Sequence, residues 1–179
     1  GGEDAFIGAV HRIAARLDDR FELVAGCLSS DHEKGLRSAE SIGMDPERSY
    51  ADYKMMASSE AQRDDRIEAV VIVTPNHLHV PVARAFIEVG IHVISDKPLA
   101  ARLEQTEGLL ELVQRQNCIF ALTHNYSGYP LIRHARQLVS QGTLGRIRVI
   151  QVEYAQDWLT EKLEDTGQKQ AEWRTDPAR

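Results

Sequence analysis

The tetrapeptide Ser95-Asp96-Lys97-Pro98 is the most chemically pointed stretch of the sequence. It closes a short apolar run, His92 to Ser95, so Lys97 falls at the end of a strand and not on a long mobile surface. Pro98 fixes its own φ and stiffens the turn that carries the lysine. The bond before it is also a position where a cis peptide can occur. Beside a substrate hydroxyl, an ammonium held this way could orient the oxygen and ease loss of its proton. The bland reading of the same residue is an ordinary exposed lysine.

Two further groups point to a ligand. Thr74-Pro75-Asn76-His77-Leu78-His79 follows the strongest apolar run, Ala69 to Thr74. Ligands of open α/β sheets bind beyond the carboxyl ends of strands, which places this loop against a cofactor. Asn76 also suits a plain turn, with both histidines solvated at a helix start. Gly1-Gly2, then Gly8, stand directly before an amphipathic helix. Glycines there would let bare backbone approach a pyrophosphate at the helix N-terminus. The spacing is short of a full GxGxxG, and a flexible chain end would read the same.

The elements that must position these groups alternate. Ile7, Val10, Ile13, Ala14 and Leu17 have helical spacing with one face to bury. Phe21 to Cys27 reads as a strand buried on both sides. Ser30 or Asp31 caps a helix that runs to about Ile42 and ends at Gly43. After the Asp45-Pro46 turn the pattern predicts a helix over 51–61, a strand over 69–74 and a helix from His79 to Val89 ended by Gly90. A strand from His92 to Ser95, a helix from Leu103 to Gln116 with Leu109, Leu110 and Val113 inward, and a strand from Ile119 to Thr123 complete the series. This is the grammar of parallel βαβ units in a doubly wound sheet with helices on both faces.

Beyond Thr123 the pattern changes. Asn125 to Pro130 is rich in turn formers, and Leu131 to Ser140 reads as a helix. Gly142 and Gly145 bracket a turn, and Ile147 to Tyr154 alternates apolar and polar residues as an antiparallel or edge strand does. A domain boundary is expected near 124–130, giving domains over 1–124 and 125–179. In the strand order 3-2-1-4-5-6 the first strand is central. The reading therefore expects a strand ahead of Gly1 and a second sheet that continues past Arg179.

Composition excludes other classes. A net charge of −6 argues against a nucleic-acid surface, which needs a basic stripe. No run reaches the ~20 apolar residues of a membrane span, and no signal peptide is visible. Cys27 and Cys118 sit in apolar runs and are read as buried small hydrophobes in a reducing, cytoplasmic compartment. No metal-ligand set is assigned.

Gly1-Gly2, Thr74-Pro75-Asn76 with His79, and Asp96-Lys97-Pro98, taken in order, resemble the Gfo/Idh/MocA (glucose–fructose oxidoreductase and inositol dehydrogenase) family. Trp173-Arg174 followed by Asp176-Pro177 resembles the segment before that family's catalytic helix. The departure is Asp96, where the family motif has glutamate. The resemblance implies an N-terminal Rossmann-type doubly wound parallel sheet followed by the start of an α/β domain with a mostly antiparallel sheet. It implies Lys97 as the catalytic lysine, with Gly1, Gly2, Pro75, Asn76 and Asp96 lining the cofactor. His79, Asn125 and Arg174 are carried over to the same cofactor set, and Tyr126 with Lys97 to the substrate. Phe6, Ile7, Thr74 and Pro98, adjoining these motifs, are grouped with the cofactor residues, and His11 and Arg12 lie within reach on the first helix. The family's catalytic aspartate and histidine are expected on a helix beyond Arg179.

The activity so implied is transfer of hydride between NAD or NADP and a secondary alcohol of a sugar, cyclitol or related polyol. A small-molecule substrate and a homo-oligomer, dimer or tetramer, go with it, and neither nucleic acid nor membrane is a partner. Ser29, Ser30 and Asp31 stand where a second strand would meet the ribose. Asp31 could bind the 2′-hydroxyl or cap the next helix, and the choice leans to NAD. The alternatives are a ligand-sensing regulator on the same fold, a Rossmann domain for another ligand such as S-adenosylmethionine, and a structural protein. A regulator need not keep Lys97, an S-adenosylmethionine domain gives the Asp96-Lys97-Pro98 turn no role, and a structural protein would not need polar turns gathered at successive strand ends.

Overall fold

The computed structural model describes residues 1–3, 5–155, 157 and 160–167. Within it the chain divides into two compact units, Gly1–Thr123 and a second that begins at His124.

In the first unit, aspartates cap two of the helices. Helix α1 (Phe6–Arg16) follows the glycine turn. Asp31 caps α2 (His32–Ser41) by accepting the Lys34 amide, and Asp52 caps α3 (Tyr53–Ala61) by accepting the Lys54 and Met55 amides. Three parallel strands then alternate with two helices: β1 (Ala69–Ile72), α4 (His79–Ile87), β2 (His92–Ser95), α5 (Leu103–Arg115) and β3 (Phe120–Leu122). The sheet order is β1-β2-β3, with Ile72 beside Ser95 and Ser95 beside Leu122. Gly90 ends the α4 segment at φ +75°, a backbone conformation that only glycine adopts without strain.

The core lies on one side of this sheet. Val70, Ile72 and Val93 pack with Phe86, Ile87, Leu109 and Leu112 from α4 and α5. The opposite row, Val71–Ile94–Ala121, is more open, and Val71 is 41% exposed, so burial of both sheet faces is not what the described residues show. Three other expectations are corrected. Residues 21–27 make no strand ladder, because their one recorded bridge is Gly26 to Ser49, and a ladder needs a neighbour along its whole length. The apolar stripe of α1 stays open: Val10, Ile13 and Leu17 are exposed and Gly8 is its buried residue. In α5, Leu109 and Leu112 turn inward while Leu110, a third of a turn from Leu109, faces out. Cys27 and Cys118 are free and half-buried, and burial pushes both thiols up from their ordinary values.

The second unit opens with a 3-10 turn over Asn125–Gly128 and continues into α6 (Pro130–Ser140). Pro130 occupies the first turn, where its missing N–H costs nothing. Residues 147–154 form no strand among the described residues, and Val149, Ile150 and Val152 are exposed. Their alternation provides a face to bury, but strand geometry also needs a hydrogen-bonded neighbour. The Tyr126 and Tyr154 hydroxyls share a hydrogen bond of 2.9 Å.

A buried ion pair braces the first unit. The Arg48 Nε donates to Glu60 Oε1 at 3.0 Å, the Tyr50 hydroxyl to the same oxygen at 2.8 Å, and the Ile67 amide to Oε2 at 3.1 Å. Burial alone would raise the Glu60 carboxyl, but these donors outweigh it and hold it below the ordinary carboxylate range. A depressed native value means stability that is full above the unfolded carboxylate value and lost as pH falls through the native one. Glu60→Gln should destabilise the protein by about 3–5 kcal/mol at neutral pH. It should also flatten the acid limb of the stability curve, both read from urea unfolding across pH. Wild-type stability in the variant would show that the brace is dispensable.

Candidate cofactor-binding site

The glycine turn is shaped by contacts that exclude side chains. The Gly2 amide donates to the Leu28 carbonyl at 3.1 Å, and the Ala5 amide returns to the Gly2 carbonyl at 3.0 Å. The Glu3 amide donates to Ser38 Oγ at 2.9 Å, and that hydroxyl donates to the Lys34 carbonyl at 2.7 Å. Arg12 Nη1 holds the Gly1 carbonyl at 2.9 Å. A Cβ on Gly2 would lie 2.5 Å from Ser38 Oγ, and one on Gly8 would lie 2.7 Å from the Gly1 carbonyl oxygen. The turn therefore stacks directly on α1, leaving bare backbone at the helix N-terminus. A groove of ≈ 360 Å³ borders it, lined by Gly2, Glu3, Phe6, Arg12 and Ser38 among others. Phe6 is exposed and Ile7 half-buried.

At the start of α2 the Asp31 amide donates to Ser29 Oγ at 3.1 Å, and Asp31 Oδ1 accepts the Lys34 amide at 3.1 Å. Of the two uses left open for Asp31, the helix cap is therefore occupied by one carboxylate oxygen. Ser30 is exposed beside it.

Beyond β1 the chain makes a 3-10 turn over Asn76–Leu78 and runs straight into α4. Thr74 Oγ1 and His77 Nδ1 are buried and find no hydrogen-bond partner among the described residues. A buried polar atom left unpaired costs about 1–3 kcal/mol, and Ser49 Oγ, outside this loop, is unpaired in the same way among the described residues. His79 is not a solvated turn residue. Its side chain belongs to a residue only 2% exposed, with Nδ1 2.6 Å from the Pro98 carbonyl oxygen and Nε2 2.9 Å from the Thr74 carbonyl oxygen. Both ring nitrogens are engaged by backbone, which leaves none to reach a cofactor.

Beyond β2 the ladder hands over to the lysine turn. The Asp96 amide donates to the Ile72 carbonyl and the Thr123 amide to the Ser95 carbonyl, each at 2.9 Å. Thr123 Oγ1 donates to Asp96 Oδ1 at 2.9 Å. Lys97 and Pro98 are exposed and joined by a cis peptide bond. His11 on α1 feels this turn: burial lowers its imidazole while the Asp96 carboxylate pulls the other way. Glycine turn, Thr74–His79 loop and Asp96–Pro98 turn are thus parts of one unit. Asn125 and Tyr126 belong to the second unit, and Arg174, with the Trp173 and Asp176-Pro177 motif, lies outside the described residues.

Two contributors escape sequence reading. Thr123 had a usable signal, since it ends a strand as Thr74 and Ser95 do. Ser38 had none, because a serine inside a helix looks neutral until the turn it supports is placed above it.

Residues 4–124 match the family described as oxidoreductase family, NAD-binding Rossmann fold. An uncharacterized oxidoreductase of Bacillus subtilis, YfiI, is 35% identical over 99% of this chain and 46% of its own length. Levoglucosan dehydrogenase of Pseudarthrobacter phenanthrenivorans is 30% identical over 86% of this chain and 39% of its own. An inositol dehydrogenase homolog from Azotobacter vinelandii, solved with NAD+, is 38% identical and superposes with a TM-score of 0.93 over 98% of this chain and 45% of that one. The chain spans less than half the length of each of these relatives.

The chain belongs to the Gfo/Idh/MocA oxidoreductase family. The residues fit that family's nicotinamide dinucleotide, with a side-chain-free glycine cradle and an unpaired Thr74 hydroxyl. Gly8→Ala forces a methyl against the Gly1 carbonyl, an overpacking worth about 1–3 kcal/mol. Binding of NADH, followed by fluorescence titration, should weaken by roughly tenfold or more. An unchanged Kd would remove the glycine turn from the cofactor site.

Proposed function

We propose that this chain carries the cofactor-binding part of an oxidoreductase that moves hydride between a nicotinamide dinucleotide and a secondary alcohol of a sugar, cyclitol or related polyol. The observation that carries the reading is the Asp96-Lys97-Pro98 turn, anchored to both neighbouring strand ends by the Ile72 carbonyl and Thr123. The polyol class is supported by two relatives, one named for levoglucosan and one for inositol. Residues 1–124 are assigned to cofactor binding and 125–179 to the start of a domain that binds substrate and pairs subunits.

The roles follow from placement. The Gly1-Gly2 turn and the first amides of α1 face the pyrophosphate, where helix N-terminal N–H groups favour an anion. Thr74, Pro75 and Asn76 border the nicotinamide end, with the Thr74 hydroxyl as the available hydrogen-bond group. Lys97, exposed at the mouth of the turn, donates a hydrogen bond to the alcohol oxygen and stabilises negative charge as it develops there. When bound, the cofactor supplies the hydride-accepting ring, and the protein supplies binding and orientation. Asp31, with no arginine among Ser29, Ser30 and Asp31, favours NAD over NADP.

Lys97→Met should reduce turnover by about 10²–10⁴-fold, the range of a positioned proton-transfer or hydrogen-bonding group, with the Kd for NADH unchanged. Wild-type turnover in this variant would remove Lys97 from the chemistry. Titration with each cofactor should show tighter binding of NADH than NADPH, and failure of both to bind folded protein would overturn the reading.

A further inference from the structure

We propose that Thr123 is a positioning residue whose hydroxyl locks the Asp96 carboxylate against the end of β3 and, through Asp96, sets the place of Lys97. This rests on the reading of Lys97 as the group that meets the substrate oxygen.

The contacts of Asp96 carry the argument. Its amide donates to the Ile72 carbonyl at 2.9 Å, and its carbonyl accepts the Ser95 hydroxyl at 3.1 Å. Those two bonds hold the main chain and leave the side chain able to turn. The side chain is then fixed by Thr123 Oγ1, which at 2.9 Å is the hydrogen-bond donor it meets among the described residues. The same hydroxyl lies 3.2 Å from the Ser95 carbonyl oxygen. A hydroxyl has one hydrogen to give, and the nearer, charged oxygen makes the stronger, charge-assisted bond.

Thr123 is built to deliver that hydrogen to one point. Its own amide is bonded to the Ser95 carbonyl at 2.9 Å, so its backbone is pinned to the ladder. Its β-branched side chain has a stiff χ1. The bond lies one residue past the paired strand ends, Ser95 and Leu122, where it acts on the turn and not on the core. Lys97 is the next residue along, and its side chain is exposed, so its placement depends on the residue before it. A shift of about 1 Å in a catalytic group is enough to cost roughly 10²-fold in rate.

The test uses the full-length enzyme, with turnover measured at saturating cofactor because Asp96 itself is assigned to the cofactor site. Thr123→Val keeps the shape without the hydroxyl and should lose about 10²-fold in kcat. Thr123→Ser retains the hydroxyl and should keep most of the turnover. In Asp96→Ala the hydroxyl has no carboxylate to hold, so adding Thr123→Val should cost nothing further, as for residues that act as one unit. A threonine that served only the fold would cost the same in both backgrounds. Asp96→Glu leaves β3 untouched, carries the carboxylate past the hydroxyl and should lower kcat as well. If Lys97→Met keeps wild-type turnover, the Lys97 reading falls and this proposal with it. This proposal alone is overturned if Lys97→Met loses turnover but Thr123→Val or Asp96→Glu keeps it. It is overturned equally if Thr123→Val costs as much beside Asp96→Ala as it does alone.

Discussion

The candidate site depends on the parallel ladder continuing for one residue past the ends of its strands. Ile72, Ser95 and Leu122 lie side by side in register, and the next amides, Asp96 and Thr123, still bond across to Ile72 and Ser95. A slip of one residue in that register would turn every side chain to the other face. Asp96 would then lose Thr123, and the turn carrying Lys97 would start from the wrong face of the sheet. The apolar residues Val70, Ile72 and Val93 prevent that slip because their shared face is the buried one. Core packing in this unit therefore acts on the chemistry through register.

Two kinds of buried polar group serve this frame differently. Glu60 is fully enclosed and meets Arg48, Tyr50 and the Ile67 amide, so its charge is compensated within a few ångströms. It joins the turn before α3, α3 itself and the approach to β1. Thr74 Oγ1 and His77 Nδ1 are enclosed without a partner, at the sheet's carboxyl edge. Ser49 Oγ, between Arg48 and Tyr50, is also buried without a partner among the described residues, so unpaired polar atoms are not confined to the candidate site.

Much of this was legible because the signals are local. Asp31, Gly43 and Gly90 mark helix ends by their own side-chain chemistry or lack of it, and the helices start and stop there. His92–Ser95 was read to the residue. The parallel sheet was legible too, from the alternation of strands and helices, but two strand-like runs and one helix stripe differ for want of a neighbour. Residues 21–27 and 147–154 have strand-like patterns but no ladder, since pattern supplies a face and not a partner. The stripe of α1 is helical as expected, yet no described residue covers it. The burial of His79 is not legible, whether it is read as a cofactor residue or a solvated turn residue, because nothing near it in sequence shows that Pro98, nineteen residues on, supplies a carbonyl.

The one departure from the family motif can be understood in the same terms. Aspartate at position 96 is a methylene shorter than the glutamate it stands for, which keeps its carboxylate close to the backbone of the turn. At that distance it lies level with the end of β3, and Thr123 Oγ1 donates to Oδ1 while also reaching the Ser95 carbonyl at 3.2 Å. The hydroxyl therefore ties the carboxylate to the same strand-end hydrogen bonds that hold the main chain. A longer acid would carry its charge further from the sheet and beyond that anchor unless its extra rotamer were fixed by another partner. Aspartate with threonine at the next strand end is consequently a coherent pair, and the substitution keeps the negative charge beside Lys97 while shortening the lever on which it sits.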